Sequence, residues 1–138
     1  MTPKQYLMQA TVLKQMIDRT ELKITEIRSK MQGLGAIRYD KLNVQSSPED
    51  RMATYIDQII DVERRELVLL NAYYTTYAQI RSQIDGMDNL LYQQVLGYRY
   101  LDGLSLVETA NKMNYSYDYV RELHGRALQE FGKRYSVS

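Results

Sequence analysis

LLYQQVLGYRYLDGLSLVETANKMNYSYDYVRELHGRALQEF, residues 90–131, is punctuated as three short helices, expected at roughly 89–101, 106–113 and 117–134. Asp102-Gly103 is a turn signal that ends the first, whose inner face is expected at Leu91, Val95, Tyr98 and Leu101. Ser105 with Glu108 three positions later makes a capping box, in which each side chain satisfies a backbone N–H that the helix leaves orphaned. Leu106, Val107, Ala110 and Met113 then supply an inner face, with Ala110 small enough for two helices to cross closely. Asn114-Tyr115 forms the turn and Ser116 caps the third helix. In that helix Val120, Leu123, Ala127, Leu128 and Phe131 recur at helical spacing and are expected to face the core.

Ten residues lie between the two serine caps. That spacing suits a helix-turn-helix, where a short helix crosses a DNA backbone and a second helix lays its leading turns in the major groove. The residues left outward are the candidate DNA-binding set: Ser116, Tyr117, Asp118, Tyr119, Arg121, Glu122, His124, Gly125 and Arg126. Arg121 can donate a two-pronged hydrogen bond to guanine, and Asp118 or Glu122 can accept from cytosine amino groups. Tyrosine and histidine can contact phosphate or thymine methyls. Arg126, Lys133 and Arg134 lie later on the same helix, where a cation holds phosphate or complements the helix dipole.

Upstream, residues 4–34 carry an apolar repeat of seven, with Tyr6, Leu13, Ile27 and Leu34 on one row and Ala10, Ile17, Ile24 and Met31 on the other. Thr20 breaks the first row. Four heptads of this kind form a coiled-coil-like seam, expected to stop at Gly33 and Gly35. Residues 35–48 have no periodicity and read as a loop, with Ser47 as a cap and Pro48 in the first turn of the next helix. From Pro48 to about Ile84 a broad apolar stripe predicts a helix with more than one neighbour. Residues 1–47 hold eight Lys or Arg against four Asp or Glu, and residues 48–88 hold four against eight, so charge favours pairing of the two helices. The fold expected is all-α: a long N-terminal helical hairpin over 1–86, with oligomerisation as its role, then a helix-turn-helix domain over 87–138.

Composition narrows the function. The 138 residues carry a net charge of +1, so DNA affinity has to come from a few placed side chains and not from a basic coat. With no cysteine and one histidine, thiolate and zinc sites are not expected, and no cofactor is called for. No nucleophile–base set, carboxylate pair or glycine-rich phosphate loop accompanies His124, so an enzyme is not expected. Polar residues interrupt the N-terminus before any stretch of signal-peptide length, and the chain is expected in the cytoplasm, away from membrane.

The run Tyr98-Arg99-Tyr100-Leu101, Gly103-Leu104-Ser105, Glu108, Ala110, Ser116, Val120-Arg121 and Arg126-Ala127-Leu128 resembles sigma-factor region 4, whose members read LRYxxGLSxxEIAxxLxxSxxxVRxxxxRAL. The resemblance implies a helix-turn-helix for promoter DNA of the −35 type, with Tyr117, Asp118, Arg121 and Glu122 at recognition positions. Tyr117 stands where housekeeping sigma factors usually have arginine, and Glu122 where they often have glutamine, so a different DNA sequence is implied. Residues before Leu90 lack the promoter-melting helices of a complete sigma factor. AIRYDKLNVQSSPEDRM, the acidic helix after it and the sigma-like C-terminus are together similar to the small ArpU- and RinA-like late transcriptional regulators of Gram-positive phages and prophages. This second resemblance implies a regulator of late genes acting with host RNA polymerase.

The leading expectation is therefore a regulator that binds double-stranded DNA as a homo-oligomer, a dimer favoured, with host RNA polymerase as a further partner. Two other classes use similar parts. One is a small terminase-like packaging protein that rings viral DNA, and the other a polymerase-binding modulator without DNA affinity.

Overall fold

A computed structural model of the chain describes residues 1–36 and 47–138. Among these the elements are all helical: α1 (Pro3–Leu7), α2 (Gln9–Ala36), α3 (Pro48–Asp85), α4 (Leu90–Leu96), a π turn (Gly97–Leu101), α5 (Leu106–Met113) and α6 (Tyr117–Arg134). The all-α expectation holds. Most of the loop expected at 35–48, and with it most of the AIRYDKLNVQSSPEDRM stretch, lies outside the described residues.

Local chemistry sets the helix ends. Thr2 and Gln5 form a capping box around Pro3, which fits the first turn because its missing N–H is one the helix leaves unpaired anyway. A turn at Met8 separates α1 from α2, a break the heptad pattern does not register. Neither Gly33 nor Gly35 interrupts α2, which continues to Ala36. Ser47 caps α3 as expected, its hydroxyl accepting from the Asp50 N–H at 3.1 Å.

The described chain forms two compact units, Met1–Lys14 with Ala72–Ser138, and Gln15–Asn71. A boundary near residue 86 is therefore not where the structure divides. The reason is burial: Leu7, Ala10, Ile80, Ile84 and Met87 share one core with Val95, Leu96, Tyr100, Ala110, Val120, Leu123, Ala127 and Phe131. The helix-turn-helix core alone is small, and small cores need added apolar area to be stable. The Tyr6 ring lies 5.8 Å from that of Phe131, and its hydroxyl donates to Gln83 Oε1 at 2.8 Å.

Gly132 sits at a close approach in this unit. A Cβ there would come within 2.7 Å of the Val137 carbonyl oxygen and 2.9 Å of Pro3 Cγ. Gly132→Ala is expected to destabilise the chain by about 1–2 kcal/mol, because backbone has to shift to relieve the overlap. Urea unfolding measures it, and a variant as stable as the wild type rules the close packing out.

In the Gln15–Asn71 unit Ile24 and Ile27 of α2 pack with Ile59 and Val62 of α3, flanked by Met31 and Tyr55. The pairing is antiparallel, since Thr20 on α2 reaches Glu66 on α3, further from the connection, with a hydroxyl-to-carboxylate bond of 2.9 Å. The residue that breaks the heptad row is thus a polar link across the seam.

Candidate nucleic-acid interface

Ser105 begins α5 with the capping box expected of it. The Glu108 N–H donates to Ser105 Oγ, and the Ser105 N–H donates to Glu108 Oε1, each at 3.1 Å. The Ser105 backbone N–H, and then its side chain, hold the Glu108 carboxyl below the usual range. Asn114 closes α5 in the left-handed conformation, with φ 59° and ψ 38°. Asparagine tolerates this better than most residues, because its short side chain is compatible with the strained backbone. Ser116 then starts α6, its hydroxyl accepting from the Tyr119 N–H at 3.2 Å.

The α5–α6 crossing buries Ala110 and Val120, as the sequence requires. Val107 is a correction: it is 57% exposed, not inward, while Thr109 on the neighbouring turn is fully buried. The Thr109 hydroxyl has no hydrogen-bond partner among the described residues. Replacing it with a methyl removes an unpaired polar group and keeps the shape, so Thr109→Val is expected to stabilise the fold by about 1 kcal/mol. A thermal melt of the two proteins is the check, and a lower melting temperature in the variant contradicts it.

A π turn shifts the inner face of the preceding segment. The Asp102 N–H donates to the Gly97 carbonyl five residues back, at 3.0 Å, in place of four. The extra residue in the turn rotates the helix face, so Tyr100 is buried and Tyr98 only half-buried, where the regular period places Tyr98 inward. Gly103 comes next with φ +73°, the left-handed turn that Asp102-Gly103 signals.

The outward residues of α6 divide clearly. Tyr117 is 44% exposed, and Ser116, Asp118, Tyr119, Arg121, Glu122, Gly125 and Arg126 are exposed with it. They occupy the cap and first turns of α6. Arg121 makes no ion pair among the described residues, whereas Arg126 lies 3.9 Å from Glu122. Among the described residues, the helix's own nearby backbone and the two chain neighbours aside, nothing lies within 4 Å of where a Gly125 Cβ would stand, so this surface is open at mid-helix.

His124 is the second correction. It is 8% exposed and lies on the inner face, its Nε2 2.7 Å from the Tyr100 hydroxyl and the two rings stacked at 5.6 Å. Position 124 falls one turn after Val120 and one before Ala127 and Leu128, so helical phase turns it inward. Burial, and then the cations Arg99 and Lys4, push its pKa down to about 4. Burial likewise pushes the Tyr100 phenol up to about 12, with Arg99 opposing it. Both groups are neutral at pH 7 and share one hydrogen bond that ties the π turn to α6.

Tyr115, which the sequence marks only as turn, joins the exposed surface. It is 45% exposed, with its ring edge-on to Tyr119 at 5.0 Å. The signal is its spacing of four from Tyr119 across the Ser116 cap, which places both rings on one side of the helix start.

Among the described residues no cluster of His, Cys, Asp or Glu is arranged to hold a metal, and no helix is long and apolar enough to cross a membrane. Neither the curated proteins nor the solved structures compared with this chain match it. Residues 92–131 match the family model described as sigma-70, region 4. The span runs from α4 to late α6, so the C-terminal module is a sigma region 4-like DNA-binding helix-turn-helix.

Proposed function

We propose that the chain is a transcriptional regulator of a phage or prophage, which sets α6 in the major groove of double-stranded DNA and acts on late genes with host RNA polymerase. The observation that carries the reading is the open face at the start of α6. Arg121 is exposed there without an ion-pair partner among the described residues, beside Tyr117, Asp118 and Glu122, on a helix whose opposite face is buried. Such a face reads base edges, because the fork of arginine matches the two acceptors of guanine and the core fixes the helix behind it. The phage setting and the late genes rest on the resemblance to ArpU- and RinA-like regulators. Ser116, Tyr117, Asp118, Tyr119, Arg121, Glu122, Gly125 and Arg126 are the proposed contact set, with Tyr115 added and His124 removed.

A homodimer belongs to the same proposal. A module whose segment, residues 89–138, holds six cations against five acids needs two copies on repeated half-sites to bind firmly. Ile56, Ile60, Leu67 and Val68 support it, being exposed on α3 within one unit, the first three at coiled-coil spacing.

Footprinting on DNA that flanks the chain's own gene, with light scattering of the same protein, tests the proposal. A dimer protecting a defined site upstream of an operon is the expected result. An octamer or larger ring without a discrete footprint points to packaging, and polymerase binding without DNA affinity at low salt points to a modulator. Either outcome ends the regulator reading.

A further inference from the structure

Within the Gln15–Asn71 unit a groove of about 460 Å³ is walled by Arg19, Lys23 and Lys30 of α2 and Arg65 of α3, with Asp61 as its single acid. All four cations are exposed, and none has an ion-pair partner among the described residues. The unit itself is not basic: residues 15–71 hold nine Lys or Arg and ten Asp or Glu. Four of its nine cations line this one groove. Arg19 and Lys23 stand four residues apart, an arrangement of like charges that destabilises a helix in isolation. Glu66, next to Arg65 on α3, accepts a hydrogen bond from the Thr20 hydroxyl.

We propose that this groove holds the sugar-phosphate backbone of duplex DNA, as a second contact outside the helix-turn-helix. The spacing of the charges selects the ligand. At 1.5 Å per residue Lys23 lies about 6 Å along α2 from Arg19, and Lys30 about 10 Å further. No single phosphate spans that row, whereas about 16 Å of duplex carries about five phosphates on each strand. The arginines offer forked donors and the lysines mobile point charges, both suited to phosphate oxygens.

The helix-turn-helix also leaves this contact to be supplied. Of its six cations, Arg126 lies beside Glu122 and Arg134 beside Asp88, which leaves few for phosphates. A protein that binds DNA firmly typically neutralises about six to ten. The inference rests on the reading of α6 as a DNA-binding element, and the test separates the two.

The full chain is titrated against a random-sequence 30-bp duplex from 50 to 200 mM NaCl, as wild type and as the triple variant Arg19→Gln, Lys23→Gln, Lys30→Gln. Each lost phosphate contact lowers the slope of log affinity against log salt by about 0.9. Three contacts make the wild type lose about 40-fold more affinity than the variant over that range. Arg65→Gln, on the other helix, lowers the slope by about 0.9 by itself and serves if the triple variant is unstable. Equal slopes for wild type and variants overturn the proposal. So does an unchanged DNA slope with lost binding to poly-glutamate, which assigns the groove to an acidic protein. Arg121→Ala, run alongside on a footprinted site, reports on α6 alone. A reduced slope in the triple variant, with neither specific nor random affinity lowered in Arg121→Ala, keeps the groove and removes the α6 reading.

Discussion

Lowering the pH from 7 to 4 is expected to cost the wild-type chain about 3 kcal/mol more folding free energy than it costs a His124→Gln variant. The histidine side chain moves from a pKa of 6.5 to about 4 on folding, chiefly through burial. Between those values the unfolded chain binds a proton that the folded chain does not, so stability falls as the pH falls. The contribution is complete above pH 6.5 and gone below about 4. Each pKa unit corresponds to about 1.4 kcal/mol, which sets the size of the effect. Glutamine keeps a hydrogen-bonding group within reach of the Tyr100 hydroxyl but has no proton to gain. Glu108, whose carboxyl is also held low, acts below its ordinary 4.5 and is common to both proteins. Urea titrations at several pH values decide the matter, and parallel losses in the two proteins remove the buried histidine from the account.

This residue marks where the sequence stops being legible. The caps at Ser47, Ser105 and Ser116 are readable because a side-chain oxygen beside an orphan N–H is a local interaction, fixed by two or three residues. The heptad rows are readable for the same kind of reason: Ile17, Ile24 and Ile27 repeat along one helix and are all buried. For His124 residue type argues outward and phase argues inward, since it sits on the Val120–Ala127 stripe, and phase wins. Its buried hydrogen-bond partner is Tyr100, which the π turn at Gly97–Leu101 carries. One added residue in a helical turn has no signature in a periodicity of 3.6.

The partition of the chain is hidden for a different reason. Leu7 and Ile84 belong by sequence to the two long helices, and nothing in their spacing says that they complete the core around Phe131. Such pairings are set by three-dimensional packing, which for Leu7 and Phe131 joins segments more than a hundred residues apart. For the candidate interface, α6 and most of its outward residues are legible from caps and phase. The exposed Tyr115 and the basic groove of α2 are not, since the groove needs α3 beside α2 to exist.

Arg121→Ala is expected to weaken binding at the footprinted site by about 10- to 100-fold while leaving the fold at least as stable. The first half follows from lost contacts. A forked arginine–guanine pair carries about 1–3 kcal/mol of discrimination, and each factor of ten is about 1.4 kcal/mol. The second half follows from position: Arg121 is exposed, its neighbours Val120 and Leu123 face the core, and alanine is the best helix former. Binding to random duplex at low salt should fall much less, because only one cation among several is lost. Arg126→Ala is the contrast, since that guanidinium lies 3.9 Å from Glu122 and removing it frees a carboxylate near the DNA. It should weaken specific and random binding alike. If Arg121→Ala lowers both affinities by the same factor, the side chain is a phosphate contact, and base reading passes to Tyr117, Asp118 and Glu122. If it lowers neither, the open face of α6 does not meet DNA.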